Sequence, residues 1–422
     1  MAVTNADQSS GAFREFAPDP DRAFAIAREL LSIPSFKGEE AELAAWANAR
    51  LTEMGFETEL QTLRPGQAQV IATSHVSDSR PTLMLNGHLD IDPLRSNWTT
   101  DPFEARLEGN LLIGAGARNM QGGLVSILLA AEALVNQRDR ANLTIALVAG
   151  ELQGGLGTTH ALERGLSADL AIVPEPFGVD NLVTDTWGVI EFAIVVQGLS
   201  DHISKLHLAK NPLPVAIDLR AALLERVADR FGSGETAKLL FNIGGFIAGR
   251  GDEYSFNAAN YSPDRAALLI DVRHTVDISS EDVMRFFDEI VAEAAADAAD
   301  AGISVALQSG STDMYRLNEI NFPAYNANLP AELEQYLNDR RRESLGEPFA
   351  QSGTVYPHSY CGADTSHMGN AGIPSVLVGP IGPAPTPGIG DDAVFFDEVL
   401  ETATYMHEVA CTLDWAALGR SQ

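Results

Sequence analysis

A chain of 422 residues exceeds what one hydrophobic core usually supports, so two domains are expected. Its 45% apolar and 20% charged residues are a globular composition. With 28 basic and 58 acidic side chains the formal net charge is -30, which argues against a nucleic acid or an anionic membrane as partner, because phosphate binding needs clustered Lys and Arg. Small molecules are the expected ligands.

The cysteines and the first residues indicate the compartment. Cys361 and Cys411 are too few for a disulfide framework or a cysteine-based zinc site, which fits a reducing cytoplasm. The segment MAVTNADQSSGAFREF lacks the basic and apolar regions of a signal peptide, and no later run of about eighteen residues is wholly apolar. A cytoplasmic protein without a membrane span is expected.

The elements of a first domain follow in chain order. Residues 21–33 and 38–56 carry apolar residues at three- and four-residue spacings, which predicts two amphipathic helices. Four later runs are continuously apolar, as in strands buried on both faces of a largely parallel sheet: TLMLNG, LTIALVAG, LAIVPEP and IPSVLVG. The helix predicted for GGLVSILLAAEALVNQ connects the first two strands in a βαβ unit.

From about Val189 the pattern changes. VIEFAIVVQG alternates, and the elements after it form a β-α-β-α-β set. We expect an α/β protein with a mixed, largely parallel sheet flanked by helices, formed by residues 1–188 and 311–422, and an inserted α+β domain over residues 189–310.

Polar side chains stand where the predicted strands end. His88 and Asp90 follow the first strand, Glu151 the second and Glu175 the third. Ligands of such sheets gather at the carboxyl ends of the strands. An imidazole and carboxylates together at three strand ends form a more specific pattern than any one of these residues alone.

These residues resemble those of the M20 metallopeptidase family of aminoacylases, carboxypeptidases and succinyl-diaminopimelate desuccinylases. The likeness covers nearly the whole chain and rests on GHLDIDP, GAGARNMQGG, ELQGGLG, the EP dipeptide, GLSDH and NYSPDRAALLIDVR. The resemblance implies the zinc-exopeptidase type of catalytic domain, with an inserted domain that serves dimerisation and as a lid. It also implies that His88 and Glu175 are metal ligands, with Asp90 accepting the second N–H of the imidazole.

Three departures from the family pattern affect the second metal. The bridging aspartate of the family falls on Asn119, its second metal-binding glutamate falls on Leu152, and its late histidine falls near Gly388, where the chain has none. The first two changes remove two negative charges, the charge of one divalent cation. We therefore expect one metal, held by His88 and Glu175 with Asn119 as a neutral oxygen ligand or a group that orients water.

The expected metal is Mn, Zn, Co or Fe(II), because a mixed oxygen and nitrogen shell does not choose among them. With so few anionic ligands it is expected to be labile, so that a chelator or a desalting column removes it. Two alternatives stay open. Asn119 is equally expected as the N-cap of the next helix, alone or together with a metal role. Asp391 or Asp392 could restore a second metal site.

By the resemblance, Glu151 is the general base that takes a proton from water and returns it to the leaving nitrogen. The alternative for Glu151 is a carboxylate paired with a helix N-terminus. His202, which the family delivers across a dimer interface, would stabilise the developing oxyanion, although an ordinary surface histidine would fit as well. His207, His274 and His367 are expected to be structural.

Further candidates concern the substrate. Arg273 and Asn260 match family positions that hold a substrate carboxylate or shape its pocket. Arg118 is a candidate carboxylate clamp or a partner in a helix-end salt bridge, and Asp364 is expected either to contact the substrate or to shape the pocket.

The predicted activity is hydrolysis of a carbon–nitrogen bond in a small carboxylate-bearing substrate. The loss of one metal favours a substrate with its own electrophilic activation, and a 5-nitroanthranilate aminohydrolase belongs to this family. Hydrolytic deamination of such an aromatic amine is the favoured specific reaction. The alternatives are an N-acyl amino acid amidohydrolase or dipeptidase and a non-catalytic binding protein, against which the retained Glu151 argues.

Overall fold

The computed structural model describes residues 16–250, 260–312, 315–318, 320–384 and 389–420. Within these ranges the α-helices, in chain order, are α1 (Pro20–Leu31), α2 (Ala41–Met54), α3 (Gly122–Leu134), α4 (Leu156–Glu163), α5 (Leu213–Phe231), α6 (Ser280–Ala299), α7 (Ala331–Leu345), α8 (Thr365–Asn370) and α9 (Phe396–Thr412).

The strands of the same ranges are β1 (Glu57–Arg64), β2 (Gln67–Ser74), β3 (Thr82–His88), β4 (Arg106–Glu108), β5 (Leu111–Ile113), β6 (Asn142–Val148), β7 (Leu170–Val173), β8 (Asn181–Val183), β9 (Asp185–Thr186), β10 (Gly188–Gln197), β11 (Leu239–Gly249), β12 (Arg265–His274), β13 (Ser304–Gln308), β14 (Asn321–Phe322), β15 (Tyr325–Asn326), β16 (Gln351–Gly353), β17 (Ser375–Leu377) and β18 (Ala393–Phe395).

An eight-stranded sheet forms the larger layer, in the order β1-β2-β6-β3-β7-β17-β8-β16. Its central strands β6, β3, β7 and β17 are parallel. On one side of these strands, β2 pairs antiparallel with β6, and β1 pairs antiparallel with β2. On the other side, β8 pairs antiparallel with β17. The α/β class and the mixed, largely parallel sheet predicted from the continuously apolar runs are confirmed. Every residue of β6 and β7 is buried, as that prediction requires.

The helices around this sheet begin and end at residues that are typical of helix termini. Asp19 caps α1 by accepting a hydrogen bond from the main-chain nitrogen of Asp21, and Pro20 occupies the first helical position. Gly55 ends α2 in the left-handed region at a φ of 106°. The predicted crossover helix is α3, and it is buried on nearly all sides by α1, α9 and the sheet.

A second sheet follows the order β11-β12-β10-β13, with β14 paired to the start of β10. Helices α5 and α6 cover one face through a separate hydrophobic cluster that includes Phe192, Leu223 and Phe287. Tyr315 and Leu317 pack on the opposite face, so contacts with this sheet continue beyond residue 310. The domain boundaries at residues 188 and 310 stay predictions.

Strand β11 is an element that the sequence prediction missed. It pairs with β12 along almost its whole length and forms the edge of the second sheet. Gly244 and Gly245 interrupt its apolar pattern, and the register with β12 shifts between Ile243 and Gly245. In the part of the chain that the structure describes, no helix combines the length and apolar character needed to cross a membrane.

Candidate metal centre and active site

Neighbouring strands bring the predicted catalytic groups to one edge of the large sheet. His88 is the last residue of β3, Glu151 lies just beyond β6, and Glu175 lies just beyond β7. Since β6, β3 and β7 are adjacent and parallel, their carboxyl ends meet at the same edge. All three side chains are almost completely buried, with 1%, 6% and 5% of their surface exposed.

Asp90 holds the imidazole of His88 differently from the prediction. The Nδ1 atom of His88 lies 2.8 Å from the main-chain oxygen of Asp90 and 3.6 Å from its carboxylate. The carboxylate instead accepts hydrogen bonds from the main-chain nitrogens of Glu151, at 3.1 Å, and Leu152, at 2.8 Å. Asp90 therefore fixes the imidazole with its carbonyl and the Glu151 segment with its side chain.

Three electron-pair donors meet at one position, and one of them is Nε2 of this imidazole. Nδ1 of His88 must carry a proton to donate to the Asp90 carbonyl, which leaves Nε2 of the neutral ring as a donor of electrons. Nε2 lies 3.3 Å from Oδ1 of Asn119 and 3.7 Å from Oε1 of Glu175. A cation shared by such atoms removes the repulsion among their electron pairs. His88, Asn119 and Glu175 therefore fit one divalent transition metal.

Asn119 is not the N-cap of α3. It lies in a π-helical turn, Ala117–Gln121, with non-helical φ and ψ of -126° and 100°. The N-cap position of α3 belongs to Gln121, whose side chain makes no capping hydrogen bond. The capping interpretation of Asn119 is wrong, and its amide oxygen faces His88 instead.

The Glu151 segment is a tight turn rather than the start of a long helix. A short 3-10 helix, Glu151–Gln153, follows β6, and the carbonyl of Glu151 accepts hydrogen bonds from the main-chain nitrogens of Gly154 and Gly155. Gly150, Gly154 and Gly155 have φ between 71° and 82°, in the left-handed region that favours glycine. The glycines of AGELQGGLG thus allow one carboxylate to be presented at the end of a buried strand.

Burial and mutual repulsion shift the pKa values of these groups. Burial raises the pKa of Glu151 well above its usual range, and the carboxylates of Glu175, Asp364 and Asp90 raise it further. Burial also raises the pKa of Glu175, against the opposing effect of His88. For Asp364, burial raises the pKa to about 7. Without a cation this cluster holds its protons more tightly than free carboxylates do.

The same carboxylates also raise the pKa of His88, but there they oppose the effect of burial. Burial works to lower the pKa of the imidazole, but Glu175, Asp90 and Asp364 together outweigh it and raise the pKa. Asp364 itself is 1% exposed, and its Oδ1 atom has no hydrogen-bond partner. Asp364 therefore belongs to the electrostatic environment of the metal position.

Among the described residues, no comparable set of donors marks a second metal position. Leu152 stands where the resemblance implies a metal ligand, and the region near Gly388 lies outside the described residues. Asp391 accepts a hydrogen bond of 2.7 Å from the main-chain nitrogen of Thr99, and Asp392 lies 3.6 Å from Nε of Arg118. In the described ranges, no three or more His, Cys, Asp or Glu side chains are grouped to hold a metal ion.

Arg118 takes part in an ion pair, and its role as a carboxylate clamp stays a prediction. It forms the ion pair with Asp392 and donates to the carbonyl of Pro383. It also lines a cavity of about 160 Å³ together with Asn119, Arg95 and Asp392. This cavity adjoins the metal position through Asn119.

The other predicted substrate residues lie on the second sheet or its loops. Arg273 forms a two-pronged ion pair with Asp271 on the same strand, at 2.7 and 2.8 Å. The ring of His202 packs against Tyr261, and the carbonyl of Asn260 accepts a hydrogen bond from the loop after His202. Within the described chain, neither His202 nor Asn260 contacts the buried cluster, so one copy of the chain does not bring all predicted site residues together.

A cluster of aromatic rings in the segments that follow Glu175 and precede Cys361 was missed from the sequence. Phe177, two residues after Glu175, stacks on His358 at 5.1 Å between ring centroids. The same loop carries Tyr360, which packs on Trp187 at 4.8 Å, and the half-exposed Tyr356. The spacing of YPHSY gave no periodic signal, because this segment is a loop fixed by tertiary contacts.

Cys361, directly after this aromatic loop, was also missed. Part of the residue is exposed, but burial of its thiol raises the pKa of this group. The charge of Arg273 lowers the thiol pKa, and the charge of Glu175 raises it. A single cysteine in a chain with no cysteine motif carries no sequence signal.

The model of peptidase family M20/M25/M40 matches residues 84–410, so the chain belongs to this family of metal-dependent hydrolases. A succinyl-diaminopimelate desuccinylase of Xanthomonas oryzae pv. oryzae is 30% identical over 261 residues, which are 58% of this chain and 66% of that protein. The chain thus spans slightly less than two thirds of that relative's length.

Solved structures share the fold. An M20 family metallo-carboxypeptidase from Sulfolobus solfataricus superimposes with a TM-score of 0.74 at 16% identity, covering 92% of this chain and 98% of that one. A tripeptidase from Staphylococcus aureus gives 0.70 at 16% identity, covering 94% and 99%. The family resemblance and the fold class predicted from the sequence are confirmed.

Proposed function

We propose that this protein hydrolyses a carbon–nitrogen bond in a small carboxylate-bearing substrate, using one divalent metal ion and Glu151. The observation that carries the proposal is the arrangement at the sheet edge. Three electron-pair donors converge at His88, a buried carboxylate stands at the adjacent strand end, and the next residue, Leu152, cannot bind a metal.

Each residue of this edge has a part in the reaction. His88, Glu175 and Asn119 would hold the metal, which when bound polarises the attacking water. Glu151 accepts a proton from that water and delivers it to the departing nitrogen, because an amine leaves poorly unless protonated. A cation beside Glu151 lowers the raised pKa of its carboxyl group and so prepares it as a base.

The favoured substrate class is an aromatic amine that carries a carboxylate, with 5-nitroanthranilate as the specific candidate. Water adds to an electron-poor ring without a second metal, because a nitro group accepts the negative charge. The rings of Trp187, Tyr356 and Tyr360 support an aromatic ligand, since they lie in the loop region that adjoins Glu175 through Phe177. Arg118 or Arg273 would bind the substrate carboxylate.

Hydrolysis of an N-acyl amino acid or a dipeptide is the second candidate. It is favoured by the names of the curated relatives, which are succinyl-diaminopimelate desuccinylases, enzymes that cleave an N-acyl group. The same metal ligands and the same proton transfer by Glu151 would serve this reaction, so the substrate alone separates the two candidates.

We also propose that two copies associate through the second sheet. In the described part of the chain, His202 contacts Ser204 and Tyr261 rather than the buried cluster, whereas the resemblance implies that it acts on a neighbouring copy. Among the described residues, strand β11 has no partner on its outer edge and carries the exposed Phe246, which favours pairing with another chain. The mass in solution tests this, and a stable monomer contradicts it.

The test is a screen of aminobenzoates and N-acyl amino acids with added Mn²⁺, Zn²⁺ or Co²⁺, following the release of ammonia or amine. On any substrate that is turned over, Glu151→Gln should lower kcat by about 10²- to 10⁴-fold, with metal affinity changed little. Glu163→Gln, at the exposed end of α4, is the matched control. Full activity of the Glu151→Gln variant would show that another group moves the proton.

A further inference from the structure

A histidine outside the proposed metal site holds the turn that carries Glu151. His367 lies on α8, in the connection from β16 to β17, far along the chain from the turn. Its Nε2 atom lies 2.8 Å from the main-chain oxygen of Gly154. Because a carbonyl only accepts hydrogen bonds, Nε2 carries a proton and donates it to Gly154.

The fit between this ring and the turn is close. A Cβ atom on Gly155 would lie 2.4 Å from Cδ2 of His367, so only glycine admits the ring at this distance. On the other side of the turn the carboxylate of Asp90 binds the main-chain nitrogens of Glu151 and Leu152. The turn is thus held at its start by Asp90 and at its end by His367.

The ring of His367 is in turn supported from the second sheet. Phe322 of β14, which pairs with β10, lies 5.2 Å from the His367 ring between centroids. Phe322 is 3% exposed, and a Cβ atom on Gly362 would lie 2.7 Å from its ring. A continuous set of contacts therefore runs from the second sheet through Phe322 and His367 to the Glu151 turn.

We infer that His367 is a positioning residue for Glu151, and that Phe322 couples the second sheet to this residue. The inference rests on the proposed role of Glu151 as the base. The hydrogen bond from His367 to Gly154 stabilises the observed conformation of the turn. Its loss lets the turn open and displaces the carboxylate of Glu151 from the metal position. Burial lowers the pKa of His367, which keeps the ring neutral and available as a single donor at neutral pH.

The test measures hydrogen–deuterium exchange of the metal-free protein over residues 150–157, with β6 as the internal reference. His367→Phe keeps a ring without the donor, whereas His367→Gln keeps a donor near the place of Nε2. We expect exchange in the turn to rise about 2- to 10-fold in His367→Phe, the range that one net hydrogen bond represents, and to stay near wild type in His367→Gln. His75→Phe, a largely exposed histidine, is the control.

Phe322→Leu should raise exchange in the same turn and leave β6 unchanged. Three results would each overturn the inference. They are unchanged exchange of the turn in His367→Phe, an equal loss of protection of the turn in His367→Gln, and a rise in exchange that extends equally to β6. If His367→Phe does not fold, Phe322→Leu decides the question by the same measurement.

A second readout separates positioning from general stability. With a substrate that is turned over, His367→Phe should lower kcat while KM stays within about twofold. The same variant should shift the acidic limb of the pH profile of kcat, whereas the control His75→Phe should leave that limb unchanged. An unshifted profile with unchanged kcat overturns the inference. If no substrate is found but exchange responds as expected, the proposed function fails while the link between His367 and the turn stands.

Discussion

Replacing Asp364 with asparagine is predicted to change how the stability of the metal-free protein depends on pH. Burial raises the pKa of Asp364 from an ordinary value of 3.8 to about 7. The folded state therefore binds this proton more tightly than the unfolded chain does. The stabilisation is complete below pH 3.8 and is lost as the pH rises through about 7.

The magnitude follows from the size of the shift. Between pH 5 and pH 7, two pKa units correspond to about 2.7 kcal/mol of unfolding free energy. Asparagine cannot ionise, so the free energy of unfolding of the Asp364→Asn variant, relative to wild type, should rise by about 2.7 kcal/mol between pH 5 and pH 8. The change with pH is the decisive quantity, because any loss of packing is the same at both values.

Urea unfolding of EDTA-treated protein at pH 5 and pH 8 measures this difference. Glu53→Gln, at an exposed carboxylate of α2, is the control, and its difference from wild type should be equal at pH 5 and pH 8. Saturating Mn²⁺ should reduce the effect, since a cation within the cluster stabilises the ionised carboxylates. A difference between variant and wild type that is equal at pH 5 and pH 8 refutes the reasoning from burial.

Two further predictions concern the metal count and the core. The double variant Asn119→Asp with Leu152→Glu restores two negative charges, so the number of metal ions bound per chain should rise from one to two. Equilibrium dialysis measures this number, and a value that stays at one would contradict the charge argument. Arg140→Met should lower the free energy of unfolding by about 2–4 kcal/mol. The fully buried guanidinium of Arg140 donates to several main-chain carbonyls, including Leu134 at the end of α3. Arg138→Met, on the exposed surface nearby, should change the urea midpoint little, and equal effects of the two variants would refute this account.

The strands that the sequence predicts best are those whose environment is uniform. β6 and β7 are buried on both faces, so a continuous apolar run is sufficient to predict them. β11 has mixed burial and contains Gly244 and Gly245, and its pairing depends on a long-range partner, β12. Long-range pairing of this kind leaves no local pattern in the sequence.

The candidate site divides in the same way. The sequence predicts His88, Glu151 and Glu175 at one sheet edge, because parallel strand ends must meet there. It does not predict that the main-chain oxygen of Asp90 accepts the hydrogen bond from Nδ1 of His88, since carbonyl directions depend on the exact turn after β3. The contact of His367 with Gly154 joins residues 213 positions apart, and no local spacing encodes it.

The hydrogen bond from the main-chain nitrogen of Leu152 to Asp90 has a consequence for how such enzymes diversify. The path of the turn is set by main-chain groups and glycines, so the side chain at position 152 can be exchanged without moving Glu151. Under the proposed roles, a substitution at position 152 changes the number of metal ligands without changing the residue that transfers the proton. Such a turn would permit a change of metal stoichiometry by single substitutions while Glu151 stays in place.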